Sequence, residues 1–197
     1  MISYSLPFPP ISWFIKAFQS ENKLVYILSD LPYAKMTYRN RYYVTGAQGL
    51  AMLNIPIKNG RNQRIAMQDI MIDNTVRWQD VHWKTLMSHY KRAPFFDYLA
   101  PVIAPLFTTK YDNLHAFNID SIAIVQKILK NKLEVKTVSL LDNIDWQQHE
   151  DITKFLHPKL EIPNAPTPTY WQVFQDRMPF QPNLSILDYL FNEGIHL

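Results

Sequence analysis

Ile2-Ser3-Tyr4-Ser5-Leu6, Pro7-Phe8-Pro9-Pro10, Ile11-Ser12-Trp13-Phe14-Ile15-Lys16-Ala17-Phe18 and Leu24-Val25-Tyr26-Ile27-Leu28 follow one another at the start of the chain. The first run reads as a short strand. The prolines fix an extended loop, and Pro10 suits a helix start because it lacks an N–H that the first turn would leave unpaired. Ile11 to Phe18 read as that helix. Leu24 to Leu28 are a short, nearly continuous apolar run, as in a buried strand, and Ser29, Asp30 and Pro32 end it. Strand, helix, strand in this order predicts a parallel pair, because parallel neighbours need a crossover.

Beyond this unit, Tyr38 to Val44 and Leu50 to Ile57 flank Gly46-Ala47-Gln48-Gly49 and predict a β-hairpin. Pro56 cannot donate to a ladder and belongs at an edge or a strand end. A further strand is expected over Ile65 to Ile72, then three helices over Val76 to Arg92, Pro94 to Leu106 and Leu114 to Lys130, and a last strand over Leu133 to Leu140. From Asp151 to Pro182 prolines alternate with Tyr170, Trp171, Phe174 and Phe180. Such a segment is too aromatic for a solvated linker and reads as an irregular arm packed on the body, or as a lid. The expected fold is α/β (or α+β), one domain over residues 1–197. It comprises a mixed sheet with an N-terminal strand-helix-strand unit, a hairpin, a cluster of three helices and a proline-rich C-terminal arm.

Composition excludes several classes. With 47% hydrophobic and 19% charged residues among 197, the chain can bury a core. The net charge of +3 is carried without long Lys or Arg runs, so nucleic acid is not an expected partner. There is no cysteine, which removes disulfides, thiolate nucleophiles and thiolate metal sites and fits a reducing compartment. Only Gly46, Gly49, Gly60 and Gly194 occur, too few and too scattered for a phosphate-cradling or dinucleotide loop. No signal-peptide pattern opens the chain. The most apolar segment, Tyr98 to Phe107, holds two prolines and is far shorter than the roughly 20 residues of a membrane span. A cytoplasmic protein with no metal and no cofactor is expected.

Three constellations could carry chemistry. In Lys35-Met36-Thr37-Tyr38-Arg39-Asn40-Arg41, extended backbone would turn Arg39, Arg41 and Tyr43 to one side and Tyr38, Asn40 and Tyr42 to the other. Two guanidinium forks on one face suit a phosphate or carboxylate, although arginines on a solvated face need no ligand. On the helix from Val76, the residues Val76, Trp83, Met87 and Tyr90 form an apolar stripe, while Trp78, His82, Thr85 and His89 form another face. That second face would line a cleft, with His82 as a general base, or pack as a second buried side. His82 and His89 lie two turns apart and are poorly placed to share a metal ion. Finally, Ser185 and Asp188 resemble a capping box opening a last helix, which Gly194 would close.

Taken in order, Phe8-Pro9-Pro10-Ile11-Ser12-Trp13-Phe14, Lys35 to Arg41, Asn54-Ile55-Pro56, Trp78, His82-Trp83, Tyr90, Pro94-Phe95-Phe96-Asp97-Tyr98 and Asn183 to Gly194 resemble the WbqC-like family of bacterial proteins. Many members of that family carry Gln-Pro after the first strand and Gly-Tyr in the following helix, where this chain has Leu6-Pro7 and Ser12-Trp13. The resemblance implies a role in bacterial surface-polysaccharide (O-antigen) biosynthesis, with transfer of glycine or another acyl group suggested for some members. The expected substrate is an anionic small molecule, a nucleotide-linked or phosphorylated sugar. Lys35, Tyr38, Arg39, Asn40, Arg41 and Trp78 would bind it, and His82 would act as catalytic base. A non-catalytic carbohydrate-binding or assembly subunit is the alternative.

Overall fold

A computed structural model describes residues 1–60 and 63–195 of the chain. The opening unit is β1 (Ile2–Tyr4), α1 (Ile11–Gln19) and β2 (Leu24–Leu28). β1 runs parallel to β2, with Ile2 opposite Tyr26 and Tyr4 opposite Leu28. β2 runs parallel to the last strand of the chain, which covers Glu134–Val138, with Leu24 opposite Glu134. The proline loop between β1 and α1 is held down at Phe8, whose φ of 42° is unusual for an aromatic residue. Its N–H donates to Ser121 Oγ at 3.0 Å, and its ring packs on Tyr42, Phe107 and Phe117.

The hairpin pairs β3 (Arg41–Gly46) with β4 (Gly49–Asn54) antiparallel, Arg41 opposite Asn54 and Gly46 opposite Gly49. The two-residue turn Ala47-Gln48 leaves Gly49 at a φ of 114°. Alternation puts Tyr42, Val44 and Leu53 on the core face, and Arg41, Tyr43, Thr45, Leu50 and Met52 on the other. The chain is therefore α/β, with parallel strands in a three-stranded sheet and antiparallel strands in the hairpin.

Two expected strand assignments change. Tyr38–Asn40 is a 3₁₀ turn, capped by Thr37 Oγ1 accepting the Arg39 N–H, and the strand starts only at Arg41. The alternation expected across 38 to 43 therefore fails for Arg39. Ile65 to Ile72 is not a strand, because its neighbours come from three segments and none runs alongside it. It bridges singly from Ala66 to Pro32, Met71 to Asn113 and Ile72 to Ile57, around a 3₁₀ turn at Met67–Asp69.

The helices are α2 (Trp78–Tyr90), α3 (Phe96–Ile103), α4 (Pro105–Thr108), α5 (Leu114–Leu129) and α6 (Ile186–Glu193); the last strand, Glu134–Val138, is β5. The second expected helix divides at Ala104, where Pro105 opens a new turn. On α2 the core face is Trp78, His82, Leu86 and Tyr90, while Val76 and Met87 of the expected apolar stripe are exposed. Ser185 does cap α6, accepting the Leu187 N–H. Asp188 does not close a capping box, since the Ser185 N–H goes to Tyr43 O.

Asp188 is fully buried instead and gathers donors from three parts of the chain. Its Oδ1 accepts from Thr45 Oγ1 at 2.7 Å and from Tyr90 OH, and its Oδ2 from Tyr170 OH at 2.6 Å and Gln172 Nε2 at 3.1 Å. Burial and the carboxylate push both tyrosines well above the usual phenol range, so their hydroxyls remain donors. The cluster fastens the proline-rich arm to α2, β3 and α6. Among the described residues, no helix is long and apolar enough to cross a membrane.

Candidate functional site

The carboxyl ends of the parallel strands are the end at which open α/β sheets present their ligand-binding loops. Two pieces of the Lys35 to Arg41 segment meet that end. Asn118 of α5 donates to both Ser5 O and Arg39 O at 3.0 Å, tying the 3₁₀ turn to the loop that leaves β1. The Arg39 guanidinium then lies over the Tyr4 ring, 3.6 Å from its centroid, and donates to Thr37 Oγ1 at 3.1 Å. Burial pulls its pKa below the usual guanidinium value, with Tyr4 opposing.

Arg41 sits on the outer face of the hairpin but is only 3% exposed. Two thioethers lie against one of its terminal nitrogens, Met52 Sδ at 3.6 Å and Met36 Sδ at 4.0 Å. Its Nε and Nη2 are buried without a hydrogen-bond partner, as is Arg39 Nε. Among the described residues, no carboxylate lies within salt-bridge distance of either arginine.

Beside Arg41 on the same hairpin face, Tyr43 and Leu50 border a hollow of about 230 Å³, completed by Tyr38 and by residues 158–161 of the arm. Tyr38 packs edge-on against Tyr43 with ring centroids 5.9 Å apart, and burial pushes its hydroxyl up to about 12. Glu161, Pro182 and Asn183 also line a second cavity of about 630 Å³, roofed by residues 162–167 over the first turn of α1. The two hollows adjoin beneath the arm as a larger and a smaller lobe with this wall in common. The α1 N-terminus, which has no side-chain cap of its own, is closed from the far end of the chain. Leu184 O accepts the Ile11 N–H at 3.0 Å and Asn183 Oδ1 accepts the Ser12 N–H at 3.1 Å.

The remaining expected site residues lie elsewhere. Lys35 is exposed on the loop before the turn. Asn40 is locked in the core, accepting from Tyr33 OH at 3.0 Å and donating to Asn54 Oδ1 and Ile55 O. Trp78 is buried against His82 and Phe117, its Nε1 donating to Asn74 Oδ1. His82 is 2% exposed, with Nδ1 bonded to Tyr42 OH at 3.1 Å and Nε2 to Asn54 O at 3.2 Å. Burial lowers its pKa to about 4, outweighing the Asn54 carbonyl. A neutral imidazole with both nitrogens engaged positions the hairpin on α2 and has no place in the cleft. Sequence reasoning missed Glu161, which no periodicity marks, and Ser12, visible only as a departure from the family pattern.

Fold and site together define an α/β protein with two adjoining hollows between its proline-rich arm, the hairpin and the first turn of α1. The model of the WbqC-like protein family matches residues 5–159, and the chain belongs to that family. Membership suggests a role associated with polysaccharide biosynthesis. The match takes in Ser12, Arg39 and Arg41 and stops just before the segment that roofs the larger lobe. No curated protein and no solved structure is detectably similar to the chain.

Proposed function

We propose that the chain is a transferase of surface-polysaccharide biosynthesis that takes a phosphorylated or nucleotide-linked sugar into the smaller lobe, with Arg41 gripping the phosphate. The observation that carries this reading is the buried, uncompensated guanidinium of Arg41. Arginine does not shed its proton, and an ion withdrawn from water without a partner costs several kcal/mol. An anion at the two unpaired nitrogens would remove that cost with bidentate geometry. Met36 and Met52, both half-exposed, are unbranched side chains able to swing aside. Arg39, stacked on Tyr4, adds positive charge at the strand ends. Glu161, on the wall common to both lobes, replaces His82 as the group available to take a proton from an attacking hydroxyl or amine.

Isothermal titration with nucleoside diphosphates and their sugar conjugates tests the reading. Arg41→Ala should weaken binding at least about tenfold, the worth of one charge-assisted contact, while His82→Gln should leave affinity unchanged. Absence of binding, or equal binding by Arg41→Ala, would refute it. The engagement of both His82 nitrogens favours one alternative, a carbohydrate-binding subunit without turnover. Binding without release of any product in a single-turnover assay selects that alternative.

A further inference from the structure

We propose that the larger lobe is a separate binding site for an uncharged, hydroxyl-rich sugar, the second substrate beside the anionic one. The argument begins at Ser12. Its residue is 2% exposed, its N–H is satisfied by Asn183, and its Oγ is buried with no hydrogen-bond partner. Buried hydroxyls in native proteins are nearly always paired, and an orphan points to a missing partner. Ser12 stands in the wall of the cavity of about 630 Å³, a size within the range of small-molecule sites.

The rest of the lining fixes the chemistry. Asn164, Thr167 and Asn183 offer neutral donors and acceptors, and among the described residues no Lys, Arg or His lines the lobe. Among the described residues its one charged group is the Glu161 carboxylate, whose oxygens accept hydrogen bonds from hydroxyls. Pro163, Pro166 and Pro182 supply apolar surface for the C–H faces of a sugar ring, on backbone that is already rigid and loses little freedom on binding. Cations therefore distinguish the two lobes: Lys159 lines the smaller and Arg41 lies beside it, whereas the larger has neutral polar groups and shares only the Glu161 carboxylate with its neighbour. The role as second substrate rests on the reading of the smaller lobe; the binding itself does not.

Saturation-transfer NMR with free glucose, galactose, N-acetylglucosamine and their disaccharides, each with and without UDP, is the test. At least one of these neutral sugars should receive saturation from the wild-type chain. Ser12→Ala removes an unpaired hydroxyl, so it should melt no lower than wild type and yet bind that sugar at least tenfold more weakly. Glu161→Gln, at an exposed position, should also weaken it. Arg41→Ala should keep sugar binding while losing UDP, which separates failure of the anion reading from failure of this one. The inference is overturned if none of the sugars binds in either condition. It is equally overturned if Ser12→Ala binds as wild type does, or if sugar binding follows Arg41 and not Ser12.

Discussion

His82 illustrates how a single residue changes meaning between sequence and structure. An imidazole near neutral pKa reads as a base; buried with its pKa lowered to about 4, it is a group kept neutral. Below pH 6.5 the unfolded chain takes up a proton at this histidine that the native state refuses, so stability falls as pH drops through that window and levels off near pH 4. The shift predicts a loss of about 2 kcal/mol between pH 7 and pH 5, before carboxylates titrate. His115, also lowered by burial, adds in the same direction. Urea unfolding at the two pH values measures the total, and His82→Gln should flatten its share. The residue types at the site were legible in Lys35 to Arg41, and with them the proposal of an anionic ligand. What was not legible is that Thr37 caps a turn there, which sends Arg39 to Tyr4 and leaves Arg41 alone on the hairpin face.

At the scale of elements, α2 shows why periodicity underdetermines a face. The more apolar stripe is not the one that is buried, and the choice falls to partners distant in sequence: Tyr42 and Phe117 pack against the Trp78–His82 side. The helices could be read except for the break at Ala104; which side of α2 meets the core could not. The capping reading of α6 was half right for the same reason, since Asp188 found donors in β3, α2 and the arm. Tyr170→Phe leaves part of that buried carboxylate unsatisfied and should cost about 1–3 kcal/mol. Limited proteolysis should then cut faster within residues 158–182. Gly194, closing α6 at a φ of 78°, faces the Phe95 ring, whose nearest atom would lie 2.9 Å from an added Cβ. Gly194→Ala should lower stability by about 1–3 kcal/mol through backbone conformation and contact together, read from the urea midpoint.

For the whole molecule, the β-α-β start, the hairpin, the helices and the arm were all readable because each rests on local pattern. The cleft was not, because it joins the first turn of α1 to residues 161–167 and 182–184 through a hydrogen bond spanning 171 positions. A ligand that binds only the folded chain must raise its melting temperature. At about one hundred times Kd the gain is about 2.7 kcal/mol, or about 5–10 °C for a chain of this size. A nucleoside diphosphate should produce that shift in wild type and at most about half of it in Arg41→Ala at the same concentration, as scanning calorimetry will show. Two sulfurs screening a cation have a chemical cost of their own. Met36 and Met52 are 52% and 50% exposed, open to peroxide, and each sulfoxide formed would aim a polar oxygen at the guanidinium beneath. Oxidation would then occupy the guanidinium that we propose grips phosphate, and reduction of the sulfoxides would free it.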